Sequence, residues 1–203
     1  KDSQRLFAVR DFKKSLSSDE IDIISEIKFK SPSLGAINET LVSPEEIAAQ
    51  YTKSGASVIS VLTDEEFFGG KLHYINDVKS TVDIPILRKD FIVTEYQLWE
   101  SFYAGADAVL LIADAVSEGK LTELYELANE IGLHVLLEFH HLKNAKIIAQ
   151  INPPIVGVNC RNLQTMQTNI AWFEAAMEVL PESSFKVAES GIFNNSQLQF
   201  IES

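Results

Sequence analysis

Ile23–Gly35 reads "IISEIKFKSPSLG". An apolar run carries one carboxylate, Glu26, and gives way to two lysines, Lys28 and Lys30. A loop "SPSLG" beginning at Ser31 follows. A buried strand that ends in a carboxylate and two lysines, in a chain that is acidic elsewhere, points to a strand end facing a polar site.

Outward from this stretch the pattern repeats. Short apolar runs recur at Ile23–Ile27, Val58–Leu62, Ile86–Leu87, Ala108–Ile112, His134–Glu138, Ile155–Asn159 and Lys186–Glu189. The first six are rich in β-branched residues and Leu and are apolar on both faces, as in parallel strands covered by helices. Between them lie segments of helical period. "SPEEIAAQYTKSGA" opens on Ser43 as N-cap with Pro44 in the first turn and closes at Gly55. "TEYQLWESFYAGA" opens on Thr94 and closes at Gly105, and "SEGKLTELYELANEIG" opens on Ser117 and closes at Gly132. Seven βα units spaced by roughly 20–35 residues predict an α/β fold, a (β/α)8 TIM barrel whose eighth unit is missing from this chain. The alternative, a doubly wound open sheet, normally carries a glycine-rich phosphate turn after its first strand. "KFKSPSLG" has one glycine, so the barrel is favoured. Residues 1–203 are expected to form a single barrel domain.

Composition narrows the function. Forty-six per cent of the residues are hydrophobic, enough for a normal core and against disorder. No apolar run reaches the ~18 residues of a membrane span. The opening "KDSQRLFAVRD" lacks the apolar centre of a signal peptide. The net charge of -12 and pI near 4.7 disfavour nucleic acid and anionic membranes as partners. An anionic small-molecule substrate would need a local basic pocket. The single cysteine, Cys160, forms no internal disulfide and fits a cytoplasmic setting.

Barrel enzymes place their chemistry at the C-terminal ends of the strands. Those positions hold Glu26, Lys28, Lys30 and Ser31 after the first run, then Lys89 and Asp90 after the third. Glu138 ends the fifth, Asn159 and Arg161 the sixth, and Glu189 and Ser190 the seventh. No comparable cluster is expected at the opposite ends. Each residue also has a plainer reading: Lys28 and Lys30 as solvated loop residues, Glu138 as a buried structural carboxylate, Asn159 as a turn cap. Adjacent His140 and His141 are expected to face opposite ways and so not to share a metal. Cys160 is read as packing, pointing away from the pocket. Phe67 and Phe68, before a Gly-Gly loop, are core or the wall of a ligand pocket.

Several stretches, in order, resemble indole-3-glycerol phosphate synthase. They are "SEIKFKSPSLG", "LTDEEFFGGKLHYINDVK", "PILRKDFIVTEYQLWESFYAGADAVLLIADAV", "LLEFH", "VGVNCRNLQT" and "VAESGI". The resemblance runs from about Phe7 to the end. It implies closure of the indole pyrrole ring in tryptophan biosynthesis. The substrate would be 1-(2-carboxyphenylamino)-1-deoxyribulose 5-phosphate, and the products indole-3-glycerol phosphate, carbon dioxide and water. No metal or organic cofactor is implied.

The resemblance also implies roles. Lys89 is the general acid at the ketone. Lys28 binds the substrate carboxylate, with a part in dehydration left open. Glu138 stabilises an iminium-like intermediate or acts as a base, and Glu26 orients and charges the lysines. Asn159 and Ser190 position substrate oxygens, supported by Arg161 and Glu189. Lys30, Ser31 and Gly191 belong to substrate binding, the first two on the phosphate side. Phe68 and Phe91 wall the anthranilate ring. The chain departs from the family at both ends. Of the N-terminal extension that helps close the mouth, only "FAVRDFKKSLSS" is expected to survive. The last unit, with a Gly-Glu-Ser type phosphate motif, is missing. An eighth unit after Ser203 and a helical extension before Lys1 are therefore expected. The rivals are another sugar-phosphate barrel, such as phosphoribosylanthranilate isomerase, and a non-catalytic phosphate-binding remnant. The first needs a Cys and an Asp at suitable strand ends.

Overall fold

A computed structural model describes residues 5–17, 20–32, 35–37, 42–162, 165 and 167–202. Ser33 and Leu34 of the first loop, and Leu163 and Gln164 of the "VGVNCRNLQT" motif, lie outside the described residues. Seven strands form one sheet: β1 Ile24–Ile27, β2 Val58–Leu62, β3 Ile86–Lys89, β4 Ala108–Ile112, β5 His134–Phe139, β6 Ile155–Asn159 and β7 Phe185–Glu189. All neighbouring pairs are parallel, and spatial order follows chain order. That order is the barrel's. A doubly wound sheet reverses its strand order at a switch point, and no reversal occurs among the described strands. The expected Ile86–Leu87 run extends through Arg88 to Lys89, so Lys89 is itself a strand residue.

Each strand is followed by a helix: α1 Pro44–Lys53, α2 Tyr74–Thr81, α3 Glu95–Ala104, α4 Glu118–Glu130, α5 Ala145–Ile151, α6 Ala171–Met177 and α7 Asn195–Glu202. A single helical turn, Glu65–Phe68, precedes α2. The starts are fixed by side chains read in the sequence. Ser43 and Thr94 form capping boxes with Glu46 and Gln97, and the Ser117 hydroxyl accepts from the Lys120 amide. These bonds satisfy amides that the first helical turn leaves unpaired. At the end of α3, Gly105 takes φ 101°, a conformation a side chain would strain.

Two apolar layers flank the sheet. Outward residues such as Ile59, Val61, Leu111, Val135, Leu137, Val156 and Val158 pack on the helices. Inward residues Val58, Leu87, Ala108, Leu110, Leu136 and Ile155 pack around fully buried Phe12. Strand period two then places Glu26, Lys89, Glu138, Asn159 and Glu189 on the inward face too, above the apolar layer.

Phe12 corrects one expectation. The described part of "FAVRDFKKSLSS" does not lie over the mouth. It runs beneath the barrel, where Phe12 fills the floor and Arg10 donates to the Lys79 and Ile84 carbonyls. The floor also carries the polar cluster not expected there. Buried Asp107, just before β4, accepts from Lys79 Nζ at 2.5 and 2.6 Å, from the Arg10 amide at 2.7 Å and from the Ile86 amide at 2.8 Å. Burial pulls the Lys79 ammonium down to about 8 despite Asp107. This cluster ties the N-terminal segment, α2 and two strand starts together, which is a structural task.

Candidate active site

The site begins with strand ends whose inward side chains are charged. Lys89 ends β3, and its Nζ lies 2.7 Å from Glu189 Oε2 on β7 and 3.3 Å from Glu26 Oε2 on β1. Glu26 also takes Lys28 Nζ at 2.5 Å through its other oxygen. Glu138, on β5, accepts from Asn159 Nδ2 at 3.2 Å, and Asn159 Oδ1 accepts the Arg161 amide at 3.0 Å. Side chains from β1, β3, β5, β6 and β7 thus form one network.

Burial and charge compete at each member. Burial alone would push Lys89 down. The carboxylates of Glu189, Glu26 and Glu138 outweigh it and hold the ammonium well above its ordinary value. Burial would push Glu26 up, but Lys89 and Lys28 bring it below the usual carboxylate range. Glu138 is different. Burial pushes it up, repulsion from Glu189 adds to that, and Lys89 offsets only part. One carboxylate therefore stays ionised and another favours its proton, which is how a site divides acid–base work.

The backbone makes room for this. Gly157 on β6 lies opposite Glu138, and a Cβ there would come within 2.4 Å of Glu189 Oε1. Ser190 adopts φ 68° without being glycine, a strained conformation of the kind held at functional sites. Its carbonyl accepts from Cys160 Sγ.

Around the network stand the other residues singled out in the sequence. Ser31 is buried and Lys30 half-buried in a two-residue antiparallel ladder, Lys30–Ser31 with Gly35–Ala36, after β1. Phe68 and Phe91, on the loops after β2 and β3, face each other with ring centroids 6.3 Å apart. Arg161 pairs with Thr168 in an isolated bridge. Gly191 takes φ 71° beside Cys160. Cys160 itself is buried in the outer layer with the helices, as expected, and so does not serve a cysteine acid–base mechanism inside the barrel. Asp90, also noted at a strand end, belongs to the outer face. With Thr63 it holds buried Arg88, which reaches Ser101 and Glu100 on α3.

Asp114 is not among the residues read from the sequence, and His140 is weighed there only as a metal ligand. His140 Nε2 lies 3.1 Å from Glu138 Oε1. The expectation that His140 and His141 face opposite ways needs correction, because both rings reach Asp114, at 3.5 and 2.7 Å. A readable signal existed: His140 lies two residues after Glu138, on the same strand face. A groove of about 510 Å³ between α2 and α3, lined by Leu72, Tyr96, Trp99 and Tyr103, lies on the outer helical surface and gathers no comparable charge.

Fold and site define a (β/α)-barrel enzyme whose lysines and carboxylates converge on the C-terminal rim. A family model described as indole-3-glycerol phosphate synthase matches residues 2–203, and the chain belongs to that family. Among curated relatives, the indole-3-glycerol phosphate synthase of Bacillus velezensis is 44% identical over 195 residues, covering 95% of this chain and 78% of that protein. That of Bacteroides thetaiotaomicron is 46% identical over 187 residues, covering 91% and 70%. Among solved structures, 3-hexulose-6-phosphate synthase from Salmonella typhimurium superposes with TM-score 0.61 at 15% identity, covering 75% of this chain and 76% of that one. That likeness concerns the fold. No described helix is long and apolar enough to cross a membrane.

Proposed function

We propose that the chain closes the indole pyrrole ring, converting 1-(2-carboxyphenylamino)-1-deoxyribulose 5-phosphate into indole-3-glycerol phosphate, carbon dioxide and water. The observation that carries this reading is Lys89, an ammonium kept charged by Glu189 and Glu26 beside a carboxylate, Glu138, that burial pushes toward its neutral form.

The substrate presents a carboxylate, a ketone and a phosphate. Lys28, half-buried and paired with Glu26, takes the substrate carboxylate and holds the ring carbon against the ketone. Lys89 gives its proton to the ketone oxygen as the ring carbon attacks, so no full alkoxide forms. Carbon dioxide leaves, and its bonding electrons restore the aromatic ring. Glu138 stabilises the cation that develops beside the nitrogen, or removes the adjacent C–H proton as hydroxide departs as water. Two protons are spent on the ketone oxygen and one is released from carbon, so an ionised substrate consumes one proton per turnover. Asn159 fixes Glu138, and Arg161 and Glu189 support Asn159 and Lys89. Phe68 and Phe91 wall the anthranilate ring. The phosphate lies toward Lys30, Ser31 and the Ser190–Gly191 turn.

The test is turnover of the substrate followed by the fluorescence of the indole product. Product formation that disappears in Lys89→Met supports the reading. A well-folded wild-type protein that forms no product refutes it.

A further inference from the structure

Glu138 is buried, and so is His140, whose side chain is 3% exposed. Their atoms Oε1 and Nε2 are 3.1 Å apart. On the other side of the ring, Nδ1 lies 3.5 Å from Asp114 Oδ2, and the same oxygen accepts the His140 amide at 2.8 Å. Asp114 is 12% exposed. Its Oδ1 meets Nδ1 of His141 at 2.7 Å, and His141 is 58% exposed. The series Glu138, His140, Asp114, His141 therefore climbs from the dry interior of the barrel to water within four side chains.

This arrangement does more than pack. Neutral imidazole carries one N–H, yet carboxylate oxygens face both ring nitrogens of His140. Among the described residues, neither nitrogen, nor Glu138 Oε2, has an aligned hydrogen-bond partner. A carboxylate and an imidazole nitrogen buried at 3.1 Å need a proton between them, since two lone pairs repel. Asp114 stays ionised: burial would raise it, but the nearby His140 ring, the bond from the His140 amide and the His141 ring hold it below the usual carboxylate range. It can thus steady an imidazolium at His140.

We propose that His140 is a positioning residue that takes over the proton collected by Glu138 and passes it to water at the Asp114–His141 edge. The inference rests on the proposed reaction. The base step moves a proton from carbon to Glu138, and the C–H electron pair enters the forming double bond as hydroxide leaves. Glu138 then transfers that proton to His140 Nε2, which restores the carboxylate and leaves an imidazolium. The imidazolium loses a proton to water, and no other reagent is needed. The charged groups in play are Glu138 on β5, Lys89 on β3 and Glu189 on β7 on one side. On the other are Asp114 after β4, His141, and Lys143 at 3.9 Å from Asp114. Asn159 on β6 donates to the same Glu138 oxygen that meets His140.

The experiment measures kcat and KM against pH for wild type, His140→Asn and His140→Ala, with melting temperatures alongside. In His140→Asn the expected result is a kcat lower by about tenfold or more, short of the 10²–10⁴-fold typical of removing a reacting acid or base. KM stays unchanged, and the pH profile of kcat differs from that of wild type. Added imidazole restores part of the turnover of His140→Ala. Wild-type kcat and pH profile in His140→Asn overturn the proposal. So does a loss that follows the melting temperature and ignores imidazole. An NMR titration of the His140 ring reads the coupling without turnover. Its midpoint shifts in Glu138→Gln if the two share a proton, and an unmoved midpoint also overturns the proposal. An inactive wild type with a coupled His140 would instead locate the failure in the reaction assigned, and the outlet role would fall with it.

Discussion

At Glu138 one environment bears on both stability and the proposed chemistry. Its folded form favours the proton because burial and Glu189 outweigh Lys89. A carboxyl raised in this way contributes stability that is present below the ordinary carboxylate range and lost as pH rises through the raised value. Above the ordinary carboxylate range, keeping Glu138 in the folded protein therefore costs free energy, as a retained proton or as a buried charge. Glu138→Gln removes that cost while keeping size and the Asn159 contact. It should melt higher than wild type near pH 7, by a few degrees at ~2–4 °C per kcal/mol. The gap should shrink toward pH 4, and kcat should fall by about 10²–10⁴-fold. Melting curves at two pH values, with kinetics, check this. A variant with normal turnover that melts lower would make Glu138 a structural carboxylate. Sequence placed Glu26, Lys28, Lys89 and Glu138 at the rim because strand ends are legible. It could not tell which carboxylate keeps its proton, since that depends on Glu189 lying across Gly157.

At the scale of elements, β6 and the N-terminal segment make opposite demands. Gly157 keeps β6 bare where Glu189 crosses it, and in Gly157→Ala the Glu189 carboxylate must move to relieve a 2.4 Å approach. The fold should survive, because a flexible side-chain end gives way. If Glu189 places Lys89 for the proposed reaction, a misplacement of about 1 Å can cost ~10²-fold, so kcat should fall on that order with an unchanged circular dichroism spectrum. Unchanged kcat would mean that Glu189 does not place Lys89. Phe12 tests the floor. Its ring is fully buried among Val58, Leu87, Leu110 and Leu136, so Phe12→Ala should cost about 3–5 kcal/mol of stability and leave KM unchanged. A raised KM with a normal denaturation midpoint would return this segment to the mouth. Helix starts were legible down to the residue at Ser43, Thr94 and Ser117, because capping is a local interaction. The course of Phe7–Ser17 was not, because its partners Asp107, Ile84 and Lys79 lie far along the chain.

For the whole molecule, the repeating βα units made the barrel legible, and the sheet order follows that reading strand by strand. Strand period two, which the apolar runs concealed by being hydrophobic on both faces, separates two tasks. Outward residues bind helices, while inward residues form an apolar floor below and a charged rim above. It also puts His140 with Glu138 and sends Cys160 and Arg88 to the outside. A chain of net charge -12 gathers its inward lysines where carboxylates hold them charged, which suits an anionic substrate arriving against the overall field. The most direct measurement is steady-state turnover of 1-(2-carboxyphenylamino)-1-deoxyribulose 5-phosphate by wild type and Lys89→Met, read by indole fluorescence at a temperature where both are folded. Wild type should form product, and Lys89→Met should be slower by about 10²–10⁴-fold. Equal rates in the two proteins, or no product from folded wild type, would contradict the account.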